Sequence, residues 1–290
     1  MNSANITHPY GYFKPKPSIQ RLIRFSQHCP ENWLGQQLAQ VIRRHVGNLC
    51  STLVDIEVCG IRFRSGLNDN ASERKFVFMP WRFDRYERTY IERNLPKDGV
   101  FIDIGANVGI YSLWAATLLG SNGTIVSFEP NPPAFERLSF NMDANKKIRG
   151  SHWPKIKLLN TGVADRNGQF DLHLCPENLG ESSLVLHATS CSRVNIPCVK
   201  LLDKLTQLNI SKIDILKIDI EGAEEKALLP FLENSPKGLL PKCIIIENSD
   251  DHWKSNLRKA IAKHGYSINH KTKMNTVYPL RTSSFETRVA

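Results

Sequence analysis

From residue 100 onward, short apolar runs alternate with longer stretches whose apolar positions recur every three or four residues. Residues 100–104, 124–128 and 156–160 read as strands, with helices over about 108–119 and 133–146 between them. Two more strands, 213–219 and 243–248, enclose a helix at 224–232. This alternation predicts an α/β fold with a doubly wound, mostly parallel sheet, whose ligand site lies beyond the carboxyl ends of the strands. Asp103, Glu129, Asp219 and Glu247 all fall at such ends. Upstream, Leu34, Leu38, Val41, Ile42 and His45 share one side of an amphipathic helix, and 53–58 and 61–64 flank Cys59-Gly60 as a β-hairpin would. A short helix over 84–94 carries Glu87 towards the ligand cleft. The turn-rich Leu95-Pro96-Lys97-Asp98-Gly99 divides the chain into a small helix/hairpin extension, 1–97, and the main domain, 98–290.

With 290 residues, 41% hydrophobic and 23% charged, the chain is expected to be globular rather than collagen-like, coiled-coil or disordered. It lacks a run of ~18 apolar residues and the apolar core of a secretion signal, so no membrane span and a cytoplasmic location are expected. Seven scattered cysteines with no C-x-x-C pair indicate neither a disulfide framework nor a zinc site. The net charge of +10 suits an anionic partner, but the basic residues are dispersed, which makes nucleic acid the minor reading. The amphipathic N-terminal helix admits a homodimer formed through the extension.

The first loop of the main domain reads Phe101-Ile102-Asp103-Ile104-Gly105-Ala106-Asn107-Val108-Gly109. A dinucleotide site wants G-x-G-x-x-G and bare N–H groups for pyrophosphate; here a carboxylate precedes G-x-x-x-G and would repel phosphate. S-adenosylmethionine, with its ammonium and sulfonium, tolerates that carboxylate. Gly105 and Gly109 are expected to let the backbone approach the methionine part, and Glu129 to accept both ribose hydroxyl protons. Gly162 and Val163, after the third strand, lie where adenine is expected. The Asn131-Pro132-Pro133-Ala134 stretch lacks the aromatic fourth residue of an amine-methylating tetrapeptide, so its prolines read as a helix start.

Together with Phe128-Glu129-Pro130-Asn131, Gly180-Glu181-Ser182-Ser183-Leu184 and, most specifically, Leu216-Lys217-Ile218-Asp219-Ile220-Glu221-Gly222-Ala223-Glu224, that loop resembles the FkbM family of S-adenosylmethionine-dependent methyltransferases. The resemblance covers about residues 84–250. It implies a Rossmann-like class I methyltransferase fold, with O-methylation of a hydroxyl on a sugar, glycan or secondary metabolite. The cofactor set is then Glu87, Asp103, Gly105, Asn107, Gly109, Glu129, Asn131, Gly162 and Val163. An RNA or protein acceptor, or a cofactor-binding module without catalysis, are the alternatives.

An alcohol is a poor nucleophile until a base removes its proton or a cation acidifies it. Asp219, Glu221 and His252 are the candidate bases. Asp219, Glu247 and Asn248 form an oxygen-rich set suited to Mg2+. Glu221 equally fits charging the first turn of the next helix, as does Glu224, with Lys217 as their counterion. Asn141 and Asn145 read as residues of helix ends.

Overall fold

The computed structural model describes residues 7–50, 53–67, 71–174, 192–249, 253 and 257–281. Helices α1 (Pro17–Gln27) and α2 (Trp33–Leu49) form a hairpin, followed by strands β1 (Leu53–Val58) and β2 (Ile61–Gly66) and helices α3 (Ala71–Phe78) and α4 (Arg85–Asn94). Then come β3 (Val100–Ile104), α5 (Ile110–Leu118), β4 (Thr124–Phe128), α6 (Pro132–Arg149) and β5 (Lys155–Leu159). A three-stranded excursion, β6 (Gly162–Val163), β7 (Gly168–Leu174) and β8 (Ser192–Val199), precedes α7 (Leu201–Gln207). The chain returns through β9 (Ile215–Ile218), α8 (Glu224–Asn234), β10 (Cys243–Glu247), α9 (Leu257–Lys263), β11 (His270–Lys271) and β12 (Asn275–Pro279).

The main sheet has the order β11-β12-β10-β9-β3-β4-β5. Strands β10, β9, β3, β4 and β5 are parallel, whereas β12 runs antiparallel to both of its neighbours. The order reverses between β3 and β9, and folds of this kind place their ligand beyond the carboxyl ends at such a switch point. Strand β3 is buried at all five residues, as expected of a strand covered on both faces by helices. This is a doubly wound, Rossmann-like α/β fold with a mostly parallel sheet, as the periodicity predicted.

The N-terminal elements share a core with the sheet: Ile19, Val46, Phe63 and Phe76 belong to the same buried cluster as Phe101, Leu113 and Val277. Two buried ion pairs fasten them, Arg64 to Asp55 with contacts of 2.7 and 2.8 Å, and Arg137 of α6 to Glu73 of α3 at 2.9 Å. Asn141 and Asn145 are not at a helix end. They sit within α6 and satisfy the outer edge of β2, their side-chain oxygens accepting from the backbone N–H of Arg64 (2.8 Å) and Arg62 (2.9 Å). Helix α2 buries Gly35, Ala39, Ile42 and Val46, so of the five residues expected to share one side only Ile42 is buried against the body.

Candidate active site

Asp103 of β3 is paired in register with Ser127 of β4 and Lys217 of β9, which puts the three side chains on one face of the sheet at the switch point. Asp103 is fully buried. Its Oδ2 accepts from Ser112 Oγ (2.6 Å), a hydroxyl that also bonds Ser127 Oγ (2.7 Å). Its Oδ1 has no hydrogen-bond partner among the described residues. Burial pushes this carboxyl above the usual range, against the opposing pull of Lys217 and Ser112.

Glu129, just past β4, ties two loops together: Oε2 accepts from the N–H of Asn107 (2.6 Å) and Oε1 from that of Asn131 (2.8 Å). Asn107 and Asn131 thus hold Glu129 through their backbones, Asn107 in the left-handed region at φ 51°. Burial raises the Glu129 carboxyl to about 7 despite these two bonds. A carboxylate offers about four lone-pair sites, so each oxygen keeps one for a further donor.

The glycines stand at close contacts. A Cβ on Gly105 would lie 1.8 Å from the carbonyl oxygen of Asp219, and one on Gly109 would lie 2.5 Å from Leu138 Cδ1. What the structure shows them permitting is the close meeting of two loops and of a loop with α6. Gly162 is likewise packed on Cys198, whose Sγ would be 2.6 Å from an added Cβ, and Val163 is buried in the core beneath the sheet. Only the backbone of these two residues is left for an adenine.

Across the switch point, Asp219 follows β9 and Glu247 ends β10. With Glu221, at φ 52°, they bring one carboxylate oxygen each within 4.8 Å of one another. Asn248 does not join them. Its Oδ1 accepts from Thr276 Oγ1 (2.6 Å) and its Nδ2 donates to the carbonyl of Thr272 (3.0 Å), so it fastens β10 to the β11–β12 turn. The oxygen set predicted from the sequence is therefore corrected to Asp219, Glu221 and Glu247. Burial and the neighbouring Asp219 and Glu221 push Glu247 up to about 9.

Lys217 is the counterion of Asp219, at 2.9 Å, and not of Glu221 or Glu224. Burial works to lower its pKa, but Asp219 and Asp103 prevail and hold it above the ordinary lysine value. Its ammonium lies 4.8 Å from the ring centre of Tyr111. Tyr111 donates to Asp84 Oδ2 (3.0 Å), and burial together with Asp84 and Glu87 pushes its hydroxyl well up. Glu87 is buried on α4 beside it: Oε1 accepts from Thr272 Oγ1 (2.8 Å), while Oε2 has no partner among the described residues. Glu224 takes no part in the cleft, since it accepts from the N–H of Ile220 (2.9 Å) and from Trp253 Nε1 (3.0 Å) and so fixes the loop before α8. His252 and residues 180–184 lie outside the described residues.

Tyr111, Asp84 and Thr272 are the site residues that sequence reasoning missed, and it reads Lys217 only as a counterion of Glu221 and Glu224. For Lys217 the signal was present as a lone cation inside an apolar strand. Nothing local marks the other three.

Two buried carboxylate oxygens without donors, Asp103 Oδ1 and Glu87 Oε2, in an acidic cleft on a chain of net charge +10, fit a cationic ligand such as the ammonium-bearing end of S-adenosylmethionine. Fold and site together define a class I methyltransferase. The family model described as the methyltransferase FkbM domain matches residues 103–268. The chain belongs to this family of S-adenosylmethionine-dependent methyltransferases. Among curated relatives, Methyltransferase sdnD of Sordaria araneosa is 26% identical over 171 residues, 49% of this chain and 64% of that protein. Hexuronic acid methyltransferase AglP of Haloferax volcanii is 26% identical over 132 residues, 46% of this chain and 49% of that protein. The aligned part thus spans less than two thirds of either relative. Among solved structures, the methyltransferase FkbM of Methylobacillus flagellatus KT is similar with a TM-score of 0.42 and 13% identity, covering 91% of this chain and 58% of that one.

Proposed function

We propose that this methyltransferase acts on a hydroxyl of a sugar, glycan or secondary metabolite. The reading is carried by the carboxylate group at the ends of β9 and β10, Asp219, Glu221 and Glu247, beside the buried Lys217 ammonium. S-adenosylmethionine supplies an electrophilic methyl on a good leaving group, so the protein's tasks are alignment and removal of the acceptor's proton. Asp103 and Glu87 take the ammonium end of the cofactor, Glu129 the ribose hydroxyls, and the backbone of Gly162 and Val163 borders the adenine. Asp219 is the base we favour. Lys217 donates to its Oδ2 at 2.9 Å and so orients the carboxylate at the switch point for an acceptor hydroxyl. Glu221 is the second candidate, and His252 a third.

The donor chemistry of Asp219, Glu221 and Glu247 fits Mg2+, a hard cation that would acidify a bound hydroxyl. The name of the Haloferax relative supports a sugar acceptor. We keep the division at 97/98 as a proposal, with the first part as an extension of the methyltransferase domain.

The test is transfer from labelled S-adenosylmethionine to a panel of hydroxylated acceptors that includes hexuronic acids, with the O-methyl carbon identified by NMR. Asp219→Asn should lower turnover by about a hundredfold or more while leaving S-adenosylhomocysteine affinity nearly unchanged. Equal loss of both would make Asp219 a cofactor or folding residue, and product carrying N-methyl would refute the hydroxyl acceptor.

A further inference from the structure

Helix α2 packs inward through Gly35, Ala39, Ile42 and Val46, and Gly35 also lets the α1–α2 linker lie close, since an added Cβ would lie 2.0 Å from the Pro30 carbonyl oxygen. Its large apolar residues point the other way. Leu34, Leu38, Val41 and Leu49 follow one another at three-, four- and eight-residue spacing, which places them in a single arc of the helix. Together with Trp33 and with Phe25 of α1 they are between 43% and 69% exposed. A row of this kind differs from the scattered apolar residues normal on a protein surface.

The segment that carries the row is strongly basic. Residues 1–50 hold six Lys and Arg against one acid, Glu31, which is half of the chain's net charge of +10. Glu31 is itself paired with Arg85. Arg21 and Arg24 are exposed on α1. Arg43 and Arg44 of α2 and Arg74 of α3 lie near enough to repel one another; burial, then that repulsion, lowers the pKa of Arg43. A second copy of this chain would bring the same cations against themselves. An RNA would use the arginines but gain little from leucine and valine side chains. An anionic lipid surface uses both, since apolar side chains enter the acyl boundary while arginines meet the headgroups.

We propose that the exposed face of α1–α2 docks this methyltransferase peripherally on anionic lipid bilayers, with Trp33, Leu34, Leu38 and Val41 inserted at the interface. The docking is independent of the acceptor and of the base chosen above. It requires no spanning segment, and no helix among the described residues is long and apolar enough to cross a membrane.

Flotation of the full chain with vesicles tests it. The protein should float with phosphatidylcholine vesicles containing phosphatidylserine and stay behind with phosphatidylcholine alone. Leu38→Glu/Val41→Glu, at two exposed positions, should weaken vesicle affinity about tenfold or more with unchanged melting temperature and S-adenosylhomocysteine binding. Arg24→Gln and Arg44→Gln should each weaken it about fivefold. Absence of flotation with anionic vesicles overturns the proposal, as does flotation that survives the Glu substitutions. A dimer by light scattering that Leu38→Glu/Val41→Glu converts to monomer would assign the face to a second copy instead. RNA binding by the wild type that is indifferent to the apolar stripe, without flotation, would assign the arginines to nucleic acid.

Discussion

A carboxylate buried in a fold is a cost until a ligand or a counterion meets it, and two residues of this cleft turn that cost into measurable behaviour. Glu129 rises from its ordinary value of 4.5 to about 7 through burial. It therefore favours the folded state most below about 4.5, and that contribution is lost as pH rises through about 7. Cofactor binding has the opposite sign, because the ionised carboxylate is the better acceptor for two ribose hydroxyls. Affinity for S-adenosylhomocysteine should increase from pH 5.5 to about 7, by at most about tenfold per unit, and level off above it. Glu129→Gln should flatten this profile and cost about 1.5–3 kcal/mol of binding. Calorimetry across pH checks both, and a wild-type profile without slope would remove Glu129 from the cofactor site. Lys217 is the complementary case. Its side chain is 5% exposed and faces Asp103 and Asp219, so Lys217→Met leaves two acids without their cation. Since Asp219 is 34% exposed and partly solvated, the expected loss is about 2–3 kcal/mol rather than the full cost of a broken buried pair. Adding Asp219→Asn to Lys217→Met should restore part of it. Urea titrations of the single and double variants would show this, and additive losses would mean that the two residues do not interact energetically.

At the level of elements, the free edge of β2 is closed by α6 instead of by another strand. Asn141 accepts from the N–H of Arg64 and donates to the carbonyl of Val108 at 3.1 Å, so it joins the hairpin to the loop ahead of α5. Asn141→Leu buries both groups unpaired and should destabilise the protein by about 2–3 kcal/mol. Hydrogen exchange at the Arg64 amide should speed up in step, and a variant as stable as the wild type would mean that water replaces the side chain. The same residues explain what could be read in advance. Strands β3, β4, β9 and β10 were legible because each is an apolar run ending in an acid, and the site inherits that legibility. The Asn clamp was not, because an asparagine inside a helix reads as a weak helix former until its partner is known. The orientation of α2 stayed open for a related reason. Periodicity shows that apolar residues share a side, but only the packing of Gly35, Ala39, Ile42 and Val46 shows which side faces the body. Asn248 misled in the same way: its type suits a metal, while the register of β12 assigns its oxygen to Thr276.

Over the whole molecule the charge is divided unevenly, with half of the +10 in the first 50 residues and a group of acids at the strand ends. A basic protein with an acidic cleft separates two kinds of acceptor by their response to salt. For RNA, attraction to the surface would supply most of the affinity, and neutralising six phosphates would make KM rise by about three orders of magnitude between 50 and 200 mM salt. A neutral sugar gains nothing from that field. Its recognition rests on hydrogen bonds inside the cleft, where ions screen partly buried groups such as the Lys217–Asp219 pair only a little. A hexuronic acid lies between these limits, because its one carboxylate feels the basic surface only through a field that salt screens. Measured over the same range, KM for a glycan acceptor should therefore change by less than about fivefold, and vesicle binding by the α1–α2 face should fall much more steeply. A steep loss of turnover on the glycan itself, at constant cofactor affinity and without vesicles present, would show that the acceptor engages the basic surface and would return RNA to the leading place.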